Sequence, residues 1–174
     1  MKKIVLGVFI ISLFSCTSPE NKNAITPTYF DIAGYFAKEA NRLQKENPTV
    51  IKGVIAVGKA EQQSTKIADW KTELAGFANA DINKASWRGE FITTSTDSST
   101  SYTTANPKIP IKKIEIVKVA NQIKGIKIFK SNKNTLYAST DILLYYPDSL
   151  YFSKSEQKIK LLGKKKYEIT GKLK

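Results

Sequence analysis

The sequence predicts an α+β fold in which two N-terminal amphipathic helices pack on a curved antiparallel β-meander, a half-barrel or roll. Three observations predict it. Apolar residues recur at helical spacing twice in the first half of the chain. From Ala85 onward the pattern is of strand type, in short segments separated by turn residues, with no room for crossover helices. Nearly every one of those strands carries one apolar and one lysine-bearing face, as Ile126 and Ile128 against Lys127 or Ile159 and Leu161 against Lys158 and Lys160. A sheet dry on one side must be covered on that side, and the two helices are the only obvious cover.

The N-terminal element is set apart from the fold. Lys2 and Lys3 precede an uncharged apolar run, Ile4 to Phe14, which ends in Leu13-Phe14-Ser15-Cys16, and Cys16 is the only cysteine. A charged n-region, a short h-region and a terminal cysteine form the pattern of a bacterial lipoprotein signal. The run is roughly half the ~20 apolar residues a membrane span needs. It has no A-x-A-like cleavage site, and Cys16 has no second cysteine to pair with. Residues 1–15 are therefore expected to be a cleaved signal peptide, with Cys16 acylated by palmitate-class chains and holding the protein to a membrane. Residues 16–28 follow as a polar tether with two prolines (TSPENKNAITPT from Thr17), and residues 29–174 as a single domain.

Thr28 or Asp31 is placed to cap the first helix, in which Phe30, Ala33, Phe36, Ala37, Ala40 and Leu43 share one face. Lys38, Glu39, Arg42, Lys45 and Glu46 take the other face, and Asn47-Pro48 ends the helix. Thr49 to Ile67 reads as a hairpin turning at Gly58-Lys59. Asp69 caps a second helix with Trp70, Leu74, Phe77 and Ala78 on one stripe, running to about Asn83. Strands are expected at Trp87–Thr96, Lys108–Ala120, Ile123–Lys130, Thr135–Tyr146, Leu150–Ser153, Gln157–Leu162 and Tyr167–Leu173. Between them lie turns at Asp97–Ser101, Ala120-Asn121-Gln122, Ser131–Asn134, Pro147-Asp148-Ser149, Lys154-Ser155-Glu156 and Gly163-Lys164-Lys165. Lys112-Lys113 breaks the alternation and marks a bulge.

Composition excludes more than it suggests. Histidine is absent, so there is no imidazole general base; without a free thiol there is no cysteine nucleophile and no zinc site of the usual N/S type. Asp141, Asp148, Glu156 and Glu168 are scattered, and no spacing brings two carboxylates together for glycosidase-like chemistry. No G-x-S-x-G, S-x-x-K or phosphate-loop motif is present. No catalytic residue, metal or cofactor is expected.

Charge is uneven. Cys16 to Pro107 holds ten basic and ten acidic residues, whereas Lys108 to Lys174 holds sixteen lysines and five acids, a net of +11. Such a surface attracts anionic lipid headgroups, acidic glycans or nucleic acid. The preferred reading is plainer: the lysines are the solvated face of a sheet and guard its edges against aggregation. The basic half has no arginine for bidentate phosphate recognition, and export removes nucleic acid as a partner.

The candidate ligand-cavity or core residues are Phe30, Phe36, Trp70 and Phe77, expected with Leu43 and Leu74 to bury against the Lys108–Leu173 meander. Tyr137, Tyr145, Tyr146 and Tyr151 cluster around one strand pair, as ordinary cross-strand aromatics or as amphipathic ligand contacts.

The lipobox with its short basic n-region resembles those of Bacteroidetes-type lipoproteins. Tyr29-Phe30-Asp31-Ile32, Asp81-Ile82-Asn83-Lys84 and Tyr145-Tyr146-Pro147-Asp148-Ser149-Leu150-Tyr151 look like segments of small lipoproteins of those bacteria. That resemblance brings no activity and no functional residue with it. The expected architecture is similar to periplasmic lipoprotein carriers and receptors at the level of fold alone. The reading is a non-enzymatic, lipid-anchored envelope protein holding an apolar or amphipathic ligand between sheet and helices. The alternative is a structural or interaction subunit of an outer-membrane complex, with a lipid or envelope protein as partner. Thr17 rather than an aspartate follows Cys16, and Glu20 is the one acid near it, which places the protein in the outer membrane facing the periplasm. Cys16→Ala should move the protein out of the membrane fraction, and mass spectrometry of the wild-type membrane form should find an acylated N-terminal cysteine.

Overall fold

Asp31 starts the one helix of more than two turns among the described residues. Its side chain accepts from the Gly34 N–H at 2.8 Å, and Asn47 closes the helix at φ 48°, just before Pro48. Between these caps α1 (Ile32–Glu46) turns Ile32, Phe36, Ala40 and Leu43 inward. The computed structural model describes residues 28–56, 58–160 and 163–174. The signal segment 1–15, Cys16 and the tether as far as residue 27 lie outside the described residues.

A hairpin of β1 (Thr49–Ala56) and β2 (Lys59–Lys66) follows α1. The chain then returns as two single turns, α2 (Trp70–Glu73) and α3 (Ala75–Ala78), and a 3-10 turn at Ala85–Trp87. Next come β3 (Ile92–Ser95), β4 (Ser99–Thr103), β5 (Ile111–Val119) and β6 (Gln122–Lys133). The chain finishes with β7 (Tyr137–Tyr146), β8 (Leu150–Ile159) and β9 (Gly163–Leu173). The strands form one antiparallel sheet in the order β2-β1-β9-β8-β7-β6-β5-β4-β3. Strands β3 to β9 are a meander of consecutive neighbours, and the early hairpin is added beside the last strand.

This overturns the α+β expectation. Of the described residues, 53% lie in strands and 18% in helical turns, one helix exceeds two turns, and no barrel closes. β2 and β3 stand at opposite ends of an open sheet. The expected second helix breaks at Leu74, whose φ of −93° and ψ of 4° leave the helical region. Gly76, two residues on, weakens any continuous helix by about 1 kcal/mol relative to alanine. The break also lets Trp70 pack on Tyr151 of β8 and Phe77 on Tyr145 of β7.

Several boundaries shift as well. β8 runs straight through the expected turn at Lys154-Ser155-Glu156, because Ser155 is paired on both sides, with Asp141 and Tyr167, and its hydroxyl donates to Asp141 at 2.6 Å. β6 continues through Ser131 to Lys133, and the Ser/Thr segment becomes strand β4 from Ser99. The strand expected from Trp87 begins only at Ile92, after the 3-10 turn.

Other local readings match. Ala120 and Asn121 form a two-residue turn with φ of 48° and 62°, and Asp148 turns at φ 57°. The register slips between Ile111 and Lys113, the bulge that Lys112-Lys113 foretold. Its effect is on facing: Ile111 and Ile114, three residues apart, are both buried, which strict alternation forbids.

The covered face of the sheet is built from two cross-strand rows. One runs Ile116, Ile126, Tyr145, Tyr151, Gly171; the next runs Tyr102, Ile114, Ile128, Leu143. All of these are buried, and with Phe36, Leu43, Trp70 and Phe77 they belong to one continuous core. Glycine is required at 171, because any Cβ there would fall inside the Tyr151 ring. Gly171→Ala should therefore lower stability by about 3 kcal/mol. Gly76→Ala, which meets nothing within 4 Å, should be neutral or stabilise by up to ~1 kcal/mol. Urea unfolding of both variants measures the contrast.

Candidate functional site

The interior between helices and sheet is filled. Phe36, Trp70 and Phe77 are 1%, 0% and 3% exposed. The Phe36 and Phe77 rings lie 5.1 Å apart, and both meet Tyr145 edge-on at 5.1 and 5.9 Å. Trp70 meets Tyr151 edge-on at 6.0 Å, with its indole N–H buried and unpartnered. Phe30 stands apart, half-buried against Tyr35 at 5.8 Å, while its N–H donates to the Tyr102 hydroxyl. Of the four nominated aromatics, three are thus packed core and the fourth lies at its margin.

Tyr145 and Tyr151, direct neighbours across β7 and β8, each end on a carboxylate from the helical layer. The Tyr145 hydroxyl donates to Glu39 of α1, and the Tyr151 hydroxyl donates to Glu73 of α2 at 2.8 Å. Each carboxylate also holds a cation: Arg42 Nε donates to Glu39 at 3.1 Å, and Lys52 of β1 meets Glu73 at 2.7 Å. Arg42 reaches on to Glu46 at 2.6 Å and Asp148 at 2.7 Å.

Burial pushes the Glu39 carboxyl up, but the Arg42 guanidinium and the Tyr145 hydroxyl outweigh it and hold it below the usual carboxylate range. Burial, reinforced by the carboxylates they bond, raises both phenols well above the usual tyrosine value. Tyr35, beside Glu39, is pushed up to about 12, chiefly by burial. Burial likewise lowers Lys130, whose ammonium donates to the Gly76 carbonyl at 3.1 Å and ties α3 to β6. These groups are structural ties, although Tyr35 and Asp148 border a surface depression of about 430 Å3 and Lys52 borders one of about 480 Å3. Among the described residues no three Asp, Glu, His or Cys side chains gather as a metal site, and no helix is long and apolar enough to cross a membrane.

The uncovered face of the sheet is different. Alternation sends Phe129, Ile142, Leu144, Tyr146, Leu150 and Phe152 to it, paired as Phe129 with Ile142, Leu144 with Phe152 and Tyr146 with Leu150. All six are half-buried, and among the described residues the helical segments pack on the other face, against Tyr145 and Tyr151. Lys127 stands opposite Leu144 and Lys154 opposite Ile142, so ammonium groups rim the apolar band. The sizeable depressions also lie outside the packed layer. One of about 440 Å3 sits among Ser131, Lys133, Thr140, Glu156, Lys158 and Lys164, and another of about 440 Å3 lies between β1, β2 and β9.

Compared with family models, curated proteins and solved structures, the chain finds no match.

Sequence reasoning missed Glu39 and Glu73, because their partners are 106 and 78 residues away. Tyr145→Phe leaves a buried carboxylate short of one donor and should cost ~1–3 kcal/mol. Because the folded Glu39 carboxyl titrates below its unfolded value, its stabilisation is present above that value and is lost as pH falls through the folded one. The urea midpoint should therefore fall on acidification below about pH 5, and Glu39→Gln should flatten that fall while lowering the midpoint at neutral pH.

Proposed function

We propose that the chain is a lipid-anchored, non-enzymatic interaction subunit of the bacterial cell envelope, docking a protein partner on the uncovered face of its sheet. The observation that carries this is the filled interior. A pocket for a lipid-sized ligand needs several hundred Å3 lined by apolar groups. The place where the sequence put one is occupied by the rings of Phe36, Trp70, Phe77, Tyr145 and Tyr151. Exposed hydrophobics such as Ile92, Val119 and Leu136 are scattered, whereas the half-buried band around Leu144 and Phe152 is contiguous and bordered by lysines in the manner of a docking patch with a polar rim. The membrane anchor, the outer-membrane location and the kinship with Bacteroidetes-type lipoproteins enter through Cys16 and its flanks.

The protein solubilised from native membranes should migrate as a complex larger than the monomer. Leu144→Thr with Phe152→Thr, which keeps strand-forming side chains and adds no charge, should return it to monomer size while shifting the thermal midpoint by only a few degrees. Stoichiometric fatty acid recovered from the purified monomer, with complex size untouched by these substitutions, would sink the docking reading in favour of a ligand carrier.

A further inference from the structure

Several lysines of this sheet are held by carboxylates. Lys113 and Lys127 share Glu115 at 2.9 and 3.0 Å, Lys154 meets Glu156 at 2.9 Å, and Lys166 meets Glu168 at 2.9 Å. At one corner lysines without a carboxylate come together. Where β6, β7, β8 and β9 run on towards the β8–β9 connection, Lys133, Ala138, Lys158 and Lys164 fall in one row on the uncovered face. Lys158 and Lys164 are direct cross-strand partners, a like-charge pairing that works against the fold. Among the described residues, Lys133, Lys158, Lys164 and Lys165 make no ion pair with any carboxylate.

The neighbouring row on the same face adds the hydroxyls of Ser131 and Thr140. Together these residues line the depression of about 440 Å3, where Lys133, Lys158 and Lys164 share one face with a single glutamate, and Glu156 is already engaged by Lys154. Ala138, the one small apolar side chain in its row, leaves the hollow between the lysine heads.

We propose that this hollow binds the phosphate of an anionic lipid headgroup. Repulsion between Lys158 and Lys164, which Glu156 beside them offsets only in part, is relieved further by an external anion, and converging ammonium and hydroxyl donors suit tetrahedral phosphate oxygens. With lysine alone, recognition depends on the number of charges rather than on bidentate geometry, so binding should weaken steeply with salt. The choice of a lipid source rests on the anchor reading, in which acyl chains on Cys16 hold the domain beside a headgroup surface.

The test uses the full chain carrying Cys16→Ser, so that acyl chains cannot carry it to membranes, with vesicles of phosphatidylcholine alone or mixed with phosphatidylglycerol. The chain should sediment with the mixed vesicles only. Lys158→Ala with Lys164→Ala should weaken that binding by about fivefold per lysine. Lys113→Ala with Lys127→Ala, lysines already satisfied by Glu115, should change it far less. Lys158→Glu should abolish binding while raising the thermal midpoint, which a purely structural role for Lys158 does not predict. Equal losses from both lysine pairs would overturn the site in favour of diffuse surface charge. Binding of inorganic phosphate without any binding to vesicles would overturn the lipid assignment. Failure here with Cys16 still acylated would remove the headgroup site and leave the anchor standing; vesicle binding by a chain whose Cys16 proves unmodified would do the reverse.

Discussion

Tyr145 and Tyr151 face each other across two central strands, and each hydroxyl ends on a carboxylate that a cation also holds. Apolar contact alone would let α1, α2 and α3 slide, since burial is proportional to area and has no direction. A phenol donating to a charged carboxylate is directional, and it is stronger in a dry layer than at a wet surface. Two such bonds from neighbouring strands to separate helical segments fix where the layer sits. Much else follows from them. The Tyr151 ring lies where a side chain at 171 would be, so that position must be glycine. The phenol of Tyr145 stands among Tyr35, Phe36 and Phe77, so the rings interlock around it rather than enclosing a void.

The two faces of the sheet divide the chemistry of the chain. The covered face takes the isoleucines of β5 and β6 and the two tyrosines. The other takes most of the strand lysines, and with them an apolar band that single-layer packing leaves half-exposed. Among the described residues no helical segment packs on that open face.

Local chemistry was legible in the sequence wherever a feature is settled within a few residues. Asp31 and Asn47-Pro48 marked the ends of α1, the left-handed turn at Asp148 followed its proline, and the doubled lysine marked the bulge in β5. What local pattern does not encode is partnership at a distance. Lys154-Ser155-Glu156 looks like a turn alone, yet ladders on both sides keep it extended. The Trp70 stripe looks like one helix, yet two separate tyrosines on the sheet draw its halves apart. Glu39 sits at a position that helical spacing assigns to solvent, and only a tyrosine 106 residues later explains why it is 9% exposed. The α+β reading failed by the same route, since it counted stripes without knowing how far each would run. Of the aromatics nominated for a site Phe36, Trp70 and Phe77 are buried and Phe30 only half-buried, and burial does not distinguish a core from a cavity wall.

The position of the first hairpin has a kinetic consequence. β1 pairs on one side with β2 and on the other with β9, so that Val50 lies opposite Leu173, 123 residues later. An early segment whose permanent neighbour is the final strand cannot complete its ladder during synthesis. Closing so long a loop is slow, because its entropy is lost before any contact is made. The sheet therefore stays incomplete, with one edge of β1 unpaired, until the last strand has emerged.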